Sequence, residues 1–169
     1  MLLSLGYTLA NPPPPEPEGY KLDNYRTSTP ATLAGAVVVT TEQAEGLWRA
    51  GAIFIDLMPR APRPANLPAG TLWRTAPHES IPGAVWLVNT GYGELAPETE
   101  SYFSTRLNAA VAARPDRPLV FFCLRDCWMS WNGAKRALAM GYKSVHWYPD
   151  GTDGWREAGL PLVVIEPAD

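Results

Sequence analysis

Short apolar runs alternate with stretches of helical periodicity along this chain, and few architectures satisfy that alternation. Val37-Val38-Val39, Ala52-Ile53-Phe54-Ile55-Asp56, Val85 to Val88, Leu119-Val120-Phe121-Phe122 and Ser144 to Tyr148 each read as a strand. Runs such as Leu119 to Phe122 carry no polar alternation, which suits strands covered on both faces. Thr40 and Gln43 have capping-box spacing ahead of Ala44, Leu47 and Trp48, which share a helical face that Gly51 ends. Pro97 fits the first turn of a second helix, in which Phe103, Leu107, Ala110 and Val111 align. Trp131 to Met140 predicts a third helix, with Gly141 at the left-handed position past its end. Asp150-Gly151-Thr152-Asp153-Gly154 reads as a turn before a short helix near Trp155 to Ala158, and Leu162 to Ile165 as an added edge segment. The expectation is an α/β fold with a central, mostly parallel five-stranded sheet and helices on both faces. Ligands of such sheets sit beyond the C-terminal strand ends, where Asp56 and Cys123 fall.

At 169 residues the chain holds one core, and two domains would be small. We divide it into an N-terminal Pro-rich arm, residues 1–36, and a single domain, residues 37–169. Asn11 to Glu18, with Pro12 to Pro15 and Pro17, predicts extended polyproline II geometry. It acts as a spacer or as an arm lying on the domain. Tyr20 to Ala31 reads as ordered coil. Met1 to Ala10 is apolar and lacks Lys and Arg, so it is either a signal remnant or a packed arm. Hydrophobic residues make up 46%, so the 18 prolines fit ordered loops such as Met58 to Gly70 better than disorder.

A net charge of -3 without a basic stripe argues against nucleic acid as a partner. No run approaches the roughly 18 apolar residues of a membrane span. His78 and His146 lack metal-ligand spacing with the cysteines, and neither a four-ligand zinc pattern nor Cys-x2-Cys-His is present. We expect no metal and no cofactor.

Both cysteines lie in one segment, Cys123-Leu124-Arg125-Asp126-Cys127-Trp128-Met129-Ser130. A strand, a short turn carrying a thiol and a helix start together favour a thiolate, because turn amides and a helix N-terminus attract negative charge. Cys123 is therefore a candidate nucleophile; a buried small hydrophobe is the alternative. Cys127 is its resolving or redox partner, or else part of a static disulfide, or a packed thiol. Arg125 balances the thiolate charge or pairs with Asp126 at the surface. Asp126 opposes ionisation unless it caps the helix, and Ser130 is the expected cap. Trp128 and Trp131 line a pocket, face a partner, or pack as cover.

In order and spacing these segments resemble a rhodanese-like domain, from about Val39 to Pro161. The resemblance rests on the helix after Thr41, the strand ending in Asp56, the Ile81-Pro82-Gly83-Ala84 turn and the strand ending in Cys123. Ala134 to Leu138 through Gly141-Tyr142 and Val145, and Asp153-Gly154-Trp155-Arg156 through Leu160-Pro161, continue it. The run Cys123 to Trp128 is similar to a Cys-x3-Cys-Trp family that accompanies alcohol catabolism by pyrroloquinoline quinone (PQQ) enzymes and is exported to the periplasm.

The resemblance implies sulfurtransferase or thiol-redox chemistry, with a persulfide on Cys123 and with Cys127 and Arg125 as further catalytic residues. Leu124, Asp126, Trp128, Met129, Ser130 and Asp56 then form the substrate-binding surface, and the partner is a small sulfur donor or a thiol acceptor. Asp56 with Arg60 is similar to the Asp-x-Arg start of a rhodanese loop with one residue extra, and an ion pair is expected there. The loop departs from a working sulfurtransferase: Leu124 replaces a polar residue, no Gly precedes Gly133, and Arg125 is the single cation. Phosphatase relatives require an Arg where this chain has Met129. The alternative is an inactive module that binds a periplasmic quinoprotein or cytochrome. A third idea is a quinone or small ligand held among Trp128, Trp131 and Trp147.

Overall fold

The computed structural model describes residues 11–169. Five parallel strands form the main sheet in the order β1 (Val37–Val38), β6 (Val145–Tyr148), β5 (Leu119–Phe122), β2 (Ile53–Asp56) and β4 (Val85–Trp86). β2 and β5 are buried at every position, as uninterrupted apolar runs require. Their side chains still alternate. Ile53, Ile55, Phe121 and Trp147 fill one core, while Phe54, Val120, Phe122 and Tyr148 fill the other.

Helices α1 (Thr41–Arg49) and α4 (Gly151–Glu157) contribute Ala44 and Trp155 to the core on one face. α2 (Pro97–Ala113) and α3 (Trp128–Ala139) cover the other with Phe103, Leu107, Trp131 and Ala134. The expected capping box is present: Thr40 accepts from the Gln43 backbone and the Gln43 side chain accepts from Thr40 N. The register aligns Asp56 with Phe122 and Phe122 with Tyr148. β2, β5 and β6 therefore end level, and Cys123 leaves the sheet at its C-terminal edge.

Three elements differ from the sequence reading. β3 (His78–Ser80) pairs antiparallel with β7 (Val163–Ile165) as a separate two-stranded sheet. His-Glu-Ser carries no strand pattern, and β7 alone supplies its ladder partner. α3 starts at Trp128, three residues before the expected Trp131, with Cys127 at its N-cap. α4 starts at Gly151, so most of the expected Asp150–Gly154 turn is helical. Gly154 explains that helix: a Cβ there would lie 2.7 Å from Thr41 Oγ1 and 2.9 Å from the Tyr148 hydroxyl, so its absence lets α4 dock.

Residues 16–33 of the arm lie along α3. The Lys135 ammonium donates to the Pro17 and Glu18 carbonyls. Asn132 exchanges two 2.9 Å hydrogen bonds with the Lys21 backbone. Trp128 and Trp131 donate their indole N–H groups to the carbonyls of Ser28 and Thr32. Leu33 enters the α2/α3 core at 3% exposure. Among the described residues no helix is long and apolar enough to cross a membrane.

Candidate active site

β5 delivers Cys123 to the sheet edge, and α4 holds it there. The Cys123 carbonyl accepts from Thr152 N at 3.0 Å, and Gly151 sits so close that a Cβ would fall 2.2 Å from that oxygen. The chain then turns through Asp126, at φ +52°, a left-handed conformation that Asp tolerates better than most residues. That reversal returns Cys127 beside Cys123 as the N-cap of α3.

The two sulfurs occupy opposite environments. Cys123 is 1% exposed, and its thiol is within donating distance of the Cys127 carbonyl, at 3.3 Å, and of Ser130 Oγ, at 3.2 Å. Burial pushes its pKa well up, reinforced by the neighbouring Cys127. Trp147 Nε1 donates to Ser130 Oγ at 3.1 Å, which leaves the Ser130 hydroxyl hydrogen able to turn to the sulfur. Cys127 shifts the other way. A hydrogen bond from Cys123 lowers its pKa against the opposing effect of burial, with the Met129 and Leu124 amides and Arg26 adding to the lowering. The early start of α3 puts Cys127 at the helix N-terminus, where the dipole favours negative charge, although its side chain makes no capping hydrogen bond.

Several expected site residues sit elsewhere. The Arg125 guanidinium lies on Glu157, at 2.7 Å, and Asp150, at 3.1 Å, while its amide donates to Asp153; these acids belong to α4 and its N-cap. Its charge is balanced there, not at a thiolate, and Asp126 is not its partner. Asp126 is exposed and caps nothing. Ser130 is likewise no cap; it is fully buried inside α3. Asp56 is fully buried as well: its carboxylate accepts from Ser80 Oγ, His78 Nε2 and Met58 N at 2.5, 2.7 and 2.8 Å. It fastens β3 to β2 and offers no surface to a substrate. The expected Asp56–Arg60 ion pair is absent, and Arg60 lies over Trp86 instead. Leu124 is half-buried and bridges to Gly151. Trp128 and Trp131 give their indole N–H groups to arm carbonyls and Trp147 gives its own to buried Ser130, and all three rings are buried, so they pack as core and cover and do not line an open pocket.

Two contributions were not anticipated. Arg136, 7% exposed, donates to the carbonyls of Thr90, Tyr92 and Gly93 and lies over Tyr20 and Phe103. It pins the loop beside the cysteine turn to α3. The arm also covers the first turn of α3: Trp128 N donates to the Tyr25 carbonyl at 2.9 Å. A polar segment such as Asp23 to Ser28 carries no periodic signal that could place it there. The two thiols lie side by side, with their surroundings pushing the Cys127 pKa down and the Cys123 pKa up.

Comparison with known proteins agrees with this architecture. No curated protein matches the sequence. The chain is similar to the crystal structure of a thiosulfate sulfurtransferase from Pseudomonas aeruginosa, with a TM-score of 0.52 at 20% identity over 78% of this chain. It spans 21% of that protein's chain, and at this identity the likeness is one of fold. The family model for the rhodanese-like domain matches residues 40–158, most of the chain and every strand of the main sheet but β1. The sheet order, the thiol at the end of β5 and that match agree: this chain belongs to the rhodanese-like domain family.

Proposed function

We propose that this chain is a sulfurtransferase-type thiol enzyme in which Cys127 accepts a sulfane sulfur and Cys123 is its hydrogen-bonding and resolving neighbour. The observation that carries this reading is the position of Cys127, the N-cap of α3, where the helix dipole and the neighbouring Cys123 thiol favour a thiolate. A Cys127 thiolate attacks the outer sulfur of a donor such as thiosulfate. The donor's S–S bond breaks, sulfite leaves with the electron pair, and Cys127 carries a persulfide. An acceptor thiolate or cyanide then takes the outer sulfur, and the electron pair of the broken bond returns to Cys127. The order of the two cysteines reverses the one expected from sequence.

Intact mass before and after thiosulfate tests the reading. A gain of one sulfur is expected on the wild type and on Cys123→Ser, and none on Cys127→Ser. A gain lost only in Cys123→Ser returns the acceptor role to the first cysteine, and no gain on the wild type ends the proposal.

A second reading is supported by the burial of both sulfurs, 1% and 2% exposed. In it the domain is an inactive module that holds a partner. The setting we propose for either reading follows from the Cys123 to Trp128 run: the periplasm, in association with PQQ-dependent alcohol catabolism, with a quinoprotein or cytochrome as partner. Cys127 that stays unreactive toward thiosulfate, together with capture of such a partner, supports the module.

A further inference from the structure

An anionic sulfur donor meeting a thiolate is repelled unless a cation screens the encounter. The cysteine loop has only Arg125, and that guanidinium is paired with Glu157 and Asp150. The arm supplies what the loop lacks. Trp128 anchors it at two points: its backbone N–H donates to the Tyr25 carbonyl at 2.9 Å and its indole N–H to the Ser28 carbonyl at 3.1 Å. Those bonds bracket Arg26 and hold it over the first turn of α3. Arg26 is exposed and, among the described residues, has no carboxylate partner.

Beside it opens a cavity of about 760 Å³ lined by Lys21, Tyr25, Arg26, Tyr92 and Met129 among others. Met129, two residues past Cys127 in the first turn of α3, lines that cavity and places it beside the helix start that Cys127 caps. Lys21 adds a second cation, 5.3 Å from the Trp128 ring centre and 3.6 Å from Asp23. The wall is therefore cationic, and its floor is the N-terminal turn of a twelve-residue helix.

We propose that Arg26, outside the segment matched by the family model, is the specificity-determining residue of the site, holding the anionic end of a sulfur donor in this cavity against Cys127. The assignment rests on Cys127 as the reacting thiol. It makes the arm half of the active site, and it makes donor charge the property on which the enzyme selects. The second cation, Lys21, is held in place by the paired bonds between its backbone and Asn132.

The test compares two alkylating reagents of similar size and different charge, anionic iodoacetate and neutral iodoacetamide, on the full-length chain. The rate of modification of Cys127 is read by peptide mass. Any change in thiolate fraction affects both reagents alike and cancels in the ratio. In Arg26→Gln the iodoacetate rate relative to iodoacetamide is expected to fall about fivefold, as loss of one partly solvated charge interaction implies. Arg26→Lys keeps the wild-type ratio, and Arg26→Glu lowers it further. An unchanged ratio in Arg26→Gln, or a wild-type Cys127 inert to both reagents, overturns the proposal. Alkylation needs no sulfur transfer, so the two readings separate. A lowered ratio without thiosulfate loading keeps Arg26 and removes the sulfurtransferase; equal loading with an unchanged ratio does the reverse.

Discussion

At the scale of the residue, which atoms face a sulfur decides its chemistry. Cys123 faces a carbonyl and a hydroxyl in a dry interior, so its proton stays. Cys127 sits beside the Cys123 thiol at the N-terminus of α3, so its proton leaves more easily. The pairing predicts an asymmetry between two substitutions. In Cys123→Ala the strongest donor to Cys127 is gone, so the pH midpoint of its alkylation by iodoacetamide should rise by about one unit. In Cys123→Ser a hydroxyl replaces that donor, and the midpoint should stay near the wild type. Equal midpoints in both variants would show that the first thiol does not tune the second. The sequence exposed the cysteine pair and its strand-turn-helix setting, since residue type and order suffice for that. It could not assign the two roles, because a shift of three residues in the start of α3 moves the helix N-terminus from Ser130 to Cys127.

At the scale of the element, the cysteine turn depends on how α4 begins. Thr152 N and Oγ1 both reach the Cys123 carbonyl, and Arg125 fastens the turn to Asp150 and Glu157. This contact requires Gly151, which has φ +50° and no room for a side chain beside the Cys123 oxygen. Gly151→Ala should therefore cost about 3 kcal/mol in urea unfolding, combining left-handed strain with the displaced helix. A loss below about 0.5 kcal/mol, the size of an ordinary surface substitution, would mean the contact is dispensable. Local composition misled the reading here. Asp-Gly-Thr-Asp-Gly has the residues of a turn, and only docking on Thr41 and Tyr148 makes it helical.

At the scale of the whole molecule, the arm and the α3 face close over the thiols as one surface. Asn132 joins residues 111 apart in sequence, donating to the Lys21 carbonyl and accepting from its amide, and it also donates to Gly91. Asn132→Leu removes those bonds, each worth about 1 kcal/mol, so arm opening should become easier and iodoacetamide should modify Cys127 about tenfold faster. Hydrogen exchange across residues 20–28 should quicken in parallel; unchanged exchange would show that the arm is held by other contacts. The short apolar runs between helical stretches, with the capping box at Thr40 and Pro97 at a helix start, determined by themselves that this chain makes a parallel sheet covered on both faces, because burial of unbroken apolar strands and period-3.6 helices in alternation has few solutions. Tertiary structure alone decided which sulfur stands at the helix N-terminus, that Arg125 serves α4, and that Arg26 of the arm lies beside the first turn of α3. Those outcomes depend on contacts between segments far apart in the chain, and no local pattern encodes the direction in which a polar side chain will find its partner.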